Sequence, residues 1–220
     1  MKKLIAIFLS VFFLGTFSIN AQDEKWETVS IPEICTYKIP PSLEIQKGTY
    51  KRLKDQVLES VLEITVSPDR VVAQPKGIND FDPNASKRYC RVIVETVRGK
   101  FGDYKKLDDP TEISAAELAK FDKESMDQLQ EASDLLAAKG RKMTILSRQP
   151  AKVCRFNGVN ALLLTNTRSL NDAPPVYVQL YVIHNNDFIH HVTISYRESE
   201  KELWVDDLAK VINTFKFKKR

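Results

Sequence analysis

The second half of the chain constrains the fold most, because strand-like segments follow one another there with only short turns between them. Apolar and polar residues alternate from Met143 onward, and the pair Asn157-Gly158 interrupts the alternation. Asn-Gly is typical of a type I′ turn, in which both central residues need positive φ. The pair therefore predicts a β-hairpin that sets Phe156 opposite Val159, and antiparallel sheet in this part of the chain.

A second hairpin is predicted between residues 176–184 and 188–197, with Asn185-Asn186-Asp187 between them. Side chains in a strand alternate between the two faces of a sheet, so the loop length decides which residues share a face. A loop of two residues would place Val178, Leu180 and Val182 of the first strand on the same face as the more polar row Ile189, His191, Thr193 and Ser195 of the second. We expect a loop of three residues, which brings two apolar rows together, Val178, Leu180 and Val182 with Phe188, His190, Val192 and Ile194.

One predicted helix, Ala115–Ala138, has clear ends. Ser114 can cap its first amides, and Glu117 stands three residues further on, which is the pattern of a capping box. Gly140 closes the C-terminal end. The apolar residues of the helix recur at helical spacing and form one stripe. The solvent-facing side of the helix is expected to carry Asp122, Lys123, Glu124, Asp127 and Glu131.

The other predicted elements are shorter. Residues 51–64 indicate a helix that runs into a strand, with helical spacing of Leu53, Val57, Leu58, Val61 and Leu62. A last helix at residues 200–213 is expected to turn inward Leu203, Trp204, Leu208, Val211 and Ile212. Short strands are predicted at residues 26–31, 36–39, 70–74, 89–97 and 214–217. Runs of strands with few, segregated helices favour an α+β fold with a largely antiparallel sheet rather than a doubly wound parallel fold.

The first 21 residues predict an export signal. Lys2-Lys3 precede an apolar run over residues 4–17, and a small polar junction follows at residues 20–23, which is the order of parts in a cleavable signal peptide. The run is shorter than the roughly 20 residues that a membrane-spanning helix needs. We therefore expect cleavage after Ala21, and an uncleaved anchor is the alternative. The first cysteine is Cys35, too far from this junction for lipid attachment.

Residues 22–220 are expected to form a single domain in the periplasm or outside the cell, with no stable membrane insertion. Loss of Lys2 and Lys3 lowers the count of lysines and arginines from 33 to 31, against 29 aspartates and glutamates. The two signs of charge are interspersed along the chain. A nucleic-acid-binding protein would carry a basic patch, so the composition argues against nucleic acid as a partner.

No motif indicates a catalytic residue or a cofactor. The sequence contains no Gly-x-Ser-x-Gly turn, which would expose a serine nucleophile. The three cysteines, Cys35, Cys90 and Cys154, are too far apart in sequence for a Cys-x-x-Cys redox pair, and their disulfide state is open. We favour buried thiols that act as small apolar side chains.

The histidines are the other candidates for chemistry. With the three-residue loop, His184 and His190 would share a face near Asp187 and could form a two-histidine, one-carboxylate metal site. A buried His190 with exposed His184 and His191 is the interpretation that we favour. We therefore expect no metal and no cofactor.

The polar stretch of residues 75–88 is the best candidate for a contact surface, because loops of this length inside a compact domain are often functional. Phe81 stands there among Asp, Asn and Pro residues, without a local core to join. Exposed apolar residues on loops often anchor partners. We expect Phe81 and Tyr89, with Lys76 and Asn79, to contact a protein partner. A Phe81 that is tucked beneath its own loop is the alternative.

Three consecutive parts form a C-terminal module, namely His190-His191-Val192-Thr193-Ile194-Ser195-Tyr196-Arg197, the helix with Trp204, and Val211-Ile212-Asn213-Thr214-Phe215-Lys216-Phe217. This module resembles the C-terminal end of the PsbP/Mog1-like superfamily. Gln74-Pro75-Lys76-Gly77-Ile78-Asn79 is similar to a segment of its secreted bacterial members. The resemblance implies a central antiparallel sheet flanked by helices on both faces, an α/β/α sandwich. It implies no catalytic residues, since the superfamily has no shared catalytic signature.

These observations lead to one hypothesis of function and two alternatives. The hypothesis is an exported, non-enzymatic binding or accessory protein of the cell envelope that contacts a protein partner. The first alternative is a small-ligand or lipid-binding protein that uses a cleft between the sheet and a helix. The second is an envelope hydrolase or metal-dependent enzyme, which the absence of a catalytic motif disfavours.

Overall fold

The computed structural model describes residues 25–62, 66–107 and 113–220, so the predicted signal peptide lies outside the described residues. None of the helices in these residues is long and apolar enough to cross a membrane. The elements are β1 (Glu27–Ile31), β2 (Cys35–Ile39), β3 (Leu43–Ile45), α1 (Gly48–Leu62), β4 (Val71–Pro75), α2 (Pro83–Ser86), β5 (Cys90–Arg98), α3 (Ala115–Ala138), β6 (Met143–Phe156), β7 (Val159–Leu170), β8 (Val176–Asn185), β9 (Phe188–Arg197), α4 (Lys201–Ile212) and β10 (Lys216–Phe217).

Seven strands form the main sheet in the order β3-β4-β5-β9-β8-β7-β6, and every neighbouring pair is antiparallel. The predicted hairpin between β6 and β7 is confirmed, because Phe156 pairs with Val159. Both turn residues have positive φ, 42° at Asn157 and 87° at Gly158. The strands β1, β2 and β10 form a second, smaller sheet. The prediction of an α+β fold with a central antiparallel sheet is therefore confirmed.

One face of the main sheet packs against α4 and the smaller sheet, and we call it the α4 face. Trp204, Leu208 and Val211 lie on one side of a helix with 3.6 residues per turn, and all three are buried in the main core. The prediction that Leu203 also points inward is wrong. Leu203 is exposed because successive residues of a helix are rotated by about 100°, so Leu203 points away from the buried side that carries Trp204.

The opposite face of the main sheet packs against α3, and we call it the α3 face. The predicted capping box is present, since the Glu117 amide donates to Ser114 Oγ at 3.2 Å and the Ser114 amide donates to Glu117 Oε2 at 2.8 Å. The helix ends at Ala138, and Gly140 follows its C-cap with φ of 69° and donates its amide to the Ala137 carbonyl. Helices therefore cover both faces of the sheet, as the α/β/α prediction requires.

The side of α3 that meets the sheet carries one charged residue that was predicted to face water. Leu118 and Phe121 pack on the apolar residues of β7 and β8. Asp122 follows Leu118 by four residues, so it lies on the same side of the helix. Its carboxylate accepts hydrogen bonds from the Arg148 side chain and from the Ala151 amide, the latter at 2.8 Å. The prediction of a solvated Asp122 is wrong, because the residue ties α3 to β6.

The predicted three-residue loop between β8 and β9 is also wrong. Asn185 pairs with Phe188, which leaves a turn of two residues, and Val182 consequently lies opposite His191. The prediction assumed that one face of the hairpin is apolar and the other is polar. In the structure both faces are covered, since Val182 packs under α3 whereas Ile183 packs in the core under α4.

The helix α1 lies beside the edge of the main sheet that β3 and β4 form. On this side Asp55 of α1 lies 3.9 Å from Arg70, which just precedes β4. Each side chain of residues 48–60 is half-buried or exposed. The predicted strand at the end of this helix is not formed by Val61 and Leu62, which are helical, and residues 63–65 lie outside the described residues.

His190 is a fully buried neutral side chain in the core of the main sheet. Its Nδ1 lies 3.0 Å from Thr96 Oγ1, and its Nε2 lies 3.0 Å from Asn185 Nδ2. The Asn185 Nδ2 nitrogen can only donate, so Nε2 accepts and Nδ1 carries the proton. Burial, and then the charge of His191, lower the pKa of His190 from 6.5 to about 4.

This buried histidine predicts a loss of stability in acid. Below pH 6.5 the unfolded chain takes up a proton at His190, whereas the folded protein does so only near pH 4. The free energy of unfolding should therefore fall by about 3 kcal/mol from this residue between pH 7 and pH 4. Urea unfolding at both pH values should show a smaller fall for His190→Gln, which cannot titrate. An equal fall in the two proteins would contradict the assignment.

Candidate functional site

The segment that was predicted to be a contact surface, residues 75–88, forms a compact bend. A 3-10 turn over Ile78–Asp80 is followed by α2, and Ile78 and Ala85 are buried beneath the bend. Phe81 lies between the two helical turns with a φ of 57°. Its side chain is 56% exposed. The bend therefore holds Phe81 outward rather than tucking it beneath the loop.

Phe81 lies next to an apolar stripe on α1. Its ring meets the ring of Tyr50 edge to face, with 5.8 Å between centroids. Tyr50, Leu53 and Val57 follow each other at helical spacing and share one side of the helix. Leu53 is 46% exposed and Val57 is 44% exposed. We call these four residues, Tyr50, Leu53, Val57 and Phe81, the Phe81 surface.

Positive charge surrounds the Phe81 surface. Residues 47–60 and 76–88 together contain seven lysines and arginines against four aspartates and glutamates. The ammonium group of Lys54 lies 5.7 Å from the centroid of the Tyr50 ring, within range of a cation–π contact. The exposed basic side chains on this part of the chain include Lys47, Lys54 and Lys76.

Asn79 holds the bend against the edge strand β3. Its backbone amide donates to Glu44 Oε1 at 2.7 Å, and its side-chain nitrogen donates to the Ile45 carbonyl at 2.8 Å. Its side-chain oxygen accepts from the Lys47 amide at 3.1 Å and from Gln74 Nε2 at 3.2 Å. The side chain is thus used within the protein, and its effect on the surface is to position the loop that carries Phe81.

Tyr89, another predicted contact residue, lies with β9 rather than with α1. Its hydroxyl is 3.4 Å from Ser195 Oγ, and its amide donates to Glu200 Oε2 at 3.0 Å. The guanidinium of Arg91 lies 5.1 Å from its ring centroid. The structure therefore brings Phe81, Lys76 and Asn79 together at one bend and places the half-buried Tyr89 ring at a separate position.

A cleft separates α4 from strands β8 and β9 on the α4 face. Its volume is about 530 Å³, within the range of small-molecule sites. Its sheet wall is formed by Tyr177, Gln179, Tyr181, Ile194 and Tyr196, and its helix wall by Val205, Leu208, Ala209 and Ile212. Glu198 and Lys201 lie at its rim. Burial raises the pKa of Tyr181 to about 12, so its hydroxyl stays protonated and can donate a hydrogen bond.

The structure does not bring the histidines together. With the two-residue turn, His184 pairs with Ile189 and His190 pairs with Ile183, so the two histidines lie on opposite faces of the sheet. The two-histidine, one-carboxylate arrangement is therefore wrong. Among the described residues, no group of three or more His, Cys, Asp or Glu side chains is placed to hold a metal ion.

All three cysteines are free thiols in the structure. Cys35 and Cys90 are buried, and Cys154 is partly buried. Burial raises the pKa of the Cys35 thiol to about 12 and raises that of Cys90 as well. A thiol is nucleophilic as its thiolate, so burial keeps Cys35 and Cys90 unreactive at neutral pH.

Comparison with known proteins finds likeness only in solved structures. No protein-family model matches the chain, and no curated protein matches it. The solution structure of cyanobacterial PsbP (CyanoP) from Synechocystis matches with 11% identity and a TM-score of 0.46, over 90% of this chain and 96% of that one. The yeast Ran-binding protein Mog1p from Saccharomyces cerevisiae matches with 12% identity and a TM-score of 0.39, over 88% and 95% of the chains.

A crystal structure from Bacteroides thetaiotaomicron also matches, with 6% identity and a TM-score of 0.42 over 84% of this chain. The match spans only 46% of that protein's length. PsbP and Mog1p are the two proteins whose names the predicted superfamily carries. At these identities the likeness concerns the fold alone and says nothing about what this chain binds.

The position of Asn79 predicts a stability effect. Asn79→Ala removes the three hydrogen bonds of its side chain and leaves the Ile45 carbonyl and the Lys47 amide without their partner. The free energy of unfolding should fall by about 1–3 kcal/mol, measured by urea denaturation. Asn84→Ala is the matched control, because the side chain of Asn84 is exposed on α2 and accepts only from Lys87. Equal, small effects of both substitutions would contradict the positioning role of Asn79.

Proposed function

We propose that the protein is exported after removal of residues 1–21, and that residues 22–220 act as a non-enzymatic binding or accessory protein in the periplasm or outside the cell. The observation that carries this proposal is the Phe81 surface. Leu53, Val57 and Phe81 are held outward there by a helix and a bend, and the half-buried Tyr50 joins them. Exposed apolar clusters with a polar rim mark interaction sites.

The charge around the Phe81 surface defines the chemistry of the partner. Lys47, Lys54 and Lys76 favour a protein with an apolar centre and an acidic rim, because complementary charges guide association and disfavour other partners. Lys76 belongs to this rim, and Asn79 acts by holding Phe81 in place. Tyr89 is proposed as a second contact of the partner, apart from the Phe81 surface. Because exposed charges are screened by salt, binding should weaken as ionic strength rises.

A second candidate function is favoured by the α4 cleft. Its size and its tyrosine-rich wall suit a small ligand that stacks on aromatic rings and accepts a hydrogen bond from Tyr181. This function does not use the Phe81 surface. A substitution at Phe81 would leave it unchanged, so the experiment below separates the two candidates.

We expect Phe81→Asp to abolish partner capture. Residues 22–220 are immobilised and used to capture proteins from a native envelope extract, and each protein retained is then purified and its affinity measured. Removing Phe81 and adding a negative charge to a basic surface should weaken the affinity at least tenfold, since buried aromatic anchors dominate interfaces.

Phe101→Asp is the matched control, because Phe101 is 83% exposed in a different part of the chain. Circular dichroism should show that both variants fold. Equal affinity of Phe81→Asp and the unchanged protein would overturn the proposal and favour the α4 cleft. An equal loss with Phe101→Asp would show that the capture is unspecific, and a dimer that dissociates on Phe81→Asp would assign the surface to self-association.

A further inference from the structure

The α4 cleft contains hydroxyl groups that the fold itself does not use. Tyr177, Tyr181 and Tyr196 line its sheet wall, and their hydroxyls make no hydrogen bond within the part of the chain that the structure describes. Tyr181 and Tyr196 are each only 7% exposed, yet both hydroxyls retain solvent contact. These two hydroxyls therefore open into the cleft. The lining residues given above all lie between positions 177 and 212, which the structure describes without a gap.

The tyrosine rings are held in place by other aromatic side chains. The rings of Tyr177 and Tyr196 contact each other with 5.3 Å between their centroids. The ring of Tyr181 contacts the ring of Phe156 with 4.7 Å between centroids, and Phe156 is fully buried in the main core. The wall is thus formed before a ligand arrives, as is usual for small-molecule sites.

The polar groups inside the cleft are uncharged. Burial, and then the neighbouring Tyr177 and Glu198, raise the pKa of Tyr196, so its phenol is neutral at neutral pH like that of Tyr181. A phenol hydroxyl both donates and accepts hydrogen bonds, and so does the side-chain amide of Gln179. The hydroxyl groups of a ligand have the same double capacity. An entirely apolar ligand would leave these protein groups without partners, which costs binding free energy.

The rim of the cleft carries one charge of each sign, Glu198 and Lys201. Glu198 is fixed by two contacts, because its amide donates to the Pro175 carbonyl at 2.9 Å and its Oε1 accepts from the Thr167 hydroxyl at 3.0 Å. The two rim charges balance, so the cleft does not select an ion of either sign. A zwitterion could pair with both rim charges, but it would leave the tyrosine hydroxyls inside the cleft unpaired.

The volume and the walls of the cleft suit a sugar. At about 30 Å³ for each water-sized group, a volume of about 530 Å³ has room for about eighteen non-hydrogen atoms. That is one sugar ring and part of a second. A sugar ring has C–H groups on its faces and hydroxyls around its edge, so a face can stack on a tyrosine ring while the hydroxyls form hydrogen bonds.

We propose that the α4 cleft binds an uncharged oligosaccharide, with one sugar ring against Tyr177 and its hydroxyls bonded to Tyr181, Tyr196 and Gln179. The inference rests on the second candidate function, because it names the ligand class for that same cleft. Binding involves no covalent step. The tyrosine rings remove the C–H face of the sugar from water, and the neutral polar groups replace the water that the sugar hydroxyls lose.

The test is isothermal titration of residues 22–220 with three uncharged trisaccharides, cellotriose, maltotriose and triacetylchitotriose. At least one should bind saturably, and its affinity should stay within about twofold between about 50 and about 500 mM NaCl, since an uncharged ligand has no charge to screen. Phenylalanine, a zwitterion with an aromatic ring, should not bind. Binding of phenylalanine without any trisaccharide would overturn the ligand class but keep the cleft as a ligand site. Binding of none of the four would overturn the second candidate function as well.

Tyr181→Phe and Tyr196→Phe should each weaken binding of that trisaccharide about three- to tenfold, because each removes one neutral hydrogen bond to the ligand. Both variants keep the ring and lose a hydroxyl without a partner in the described chain, so circular dichroism should show that they fold. Tyr104→Phe is the matched control, since its ring contacts His184 on the opposite face of the sheet. Equal affinities of all three variants would refute the proposal. Phe81→Asp should bind the trisaccharide unchanged, which separates this site from the proposed partner surface.

Discussion

The main sheet is buried on both faces around β7, and the rest of the structure depends on this constraint. β7 shows it most clearly, because every residue from 161 to 167 is buried. A strand that is covered on both sides sends its alternate side chains to two different cores. In this protein α4 and the smaller sheet complete one core, and α3 completes the other. The register of β8 and β9 and the positions of both covering helices follow from that division.

Local signals explain what could be predicted from the sequence. The ends of α3 depend on Ser114, Glu117 and Gly140, which act within one helical turn of the residues that they cap. The β6–β7 turn depends on Asn157-Gly158, whose backbone preference needs no distant partner. The order of strands and helices was sufficient to predict the α+β class, and the resemblance implied the helices on both faces.

The errors have a non-local origin. Whether the second face of β8 is covered depends on α3, which lies some 40 residues earlier in the chain, and a pattern within one hairpin cannot reveal it. The packing of α3 on the sheet also makes Asp122 a partner of Arg148 rather than a solvated residue.

The candidate site was predictable in part. An outward Phe81 could be expected from its polar neighbours, because no apolar residue beside it offers a local core. Leu53 and Val57 could not be assigned to the same surface, since apolar residues at helical spacing ordinarily indicate a buried stripe. Their exposure follows from the position of α1 at a sheet edge. The role of Asn79 depends on β3, more than 30 residues away in sequence.

Side-chain nuclear Overhauser effects across β8 and β9 test the two-faced burial most directly, because directly opposite residues in antiparallel strands have Cβ atoms about 5 Å apart. The structure predicts effects that join Val182 with His191 and Leu180 with Thr193. Effects that join Val182 with His190 instead would contradict it. That register belongs to a three-residue loop and would return the hairpin to one apolar and one polar face.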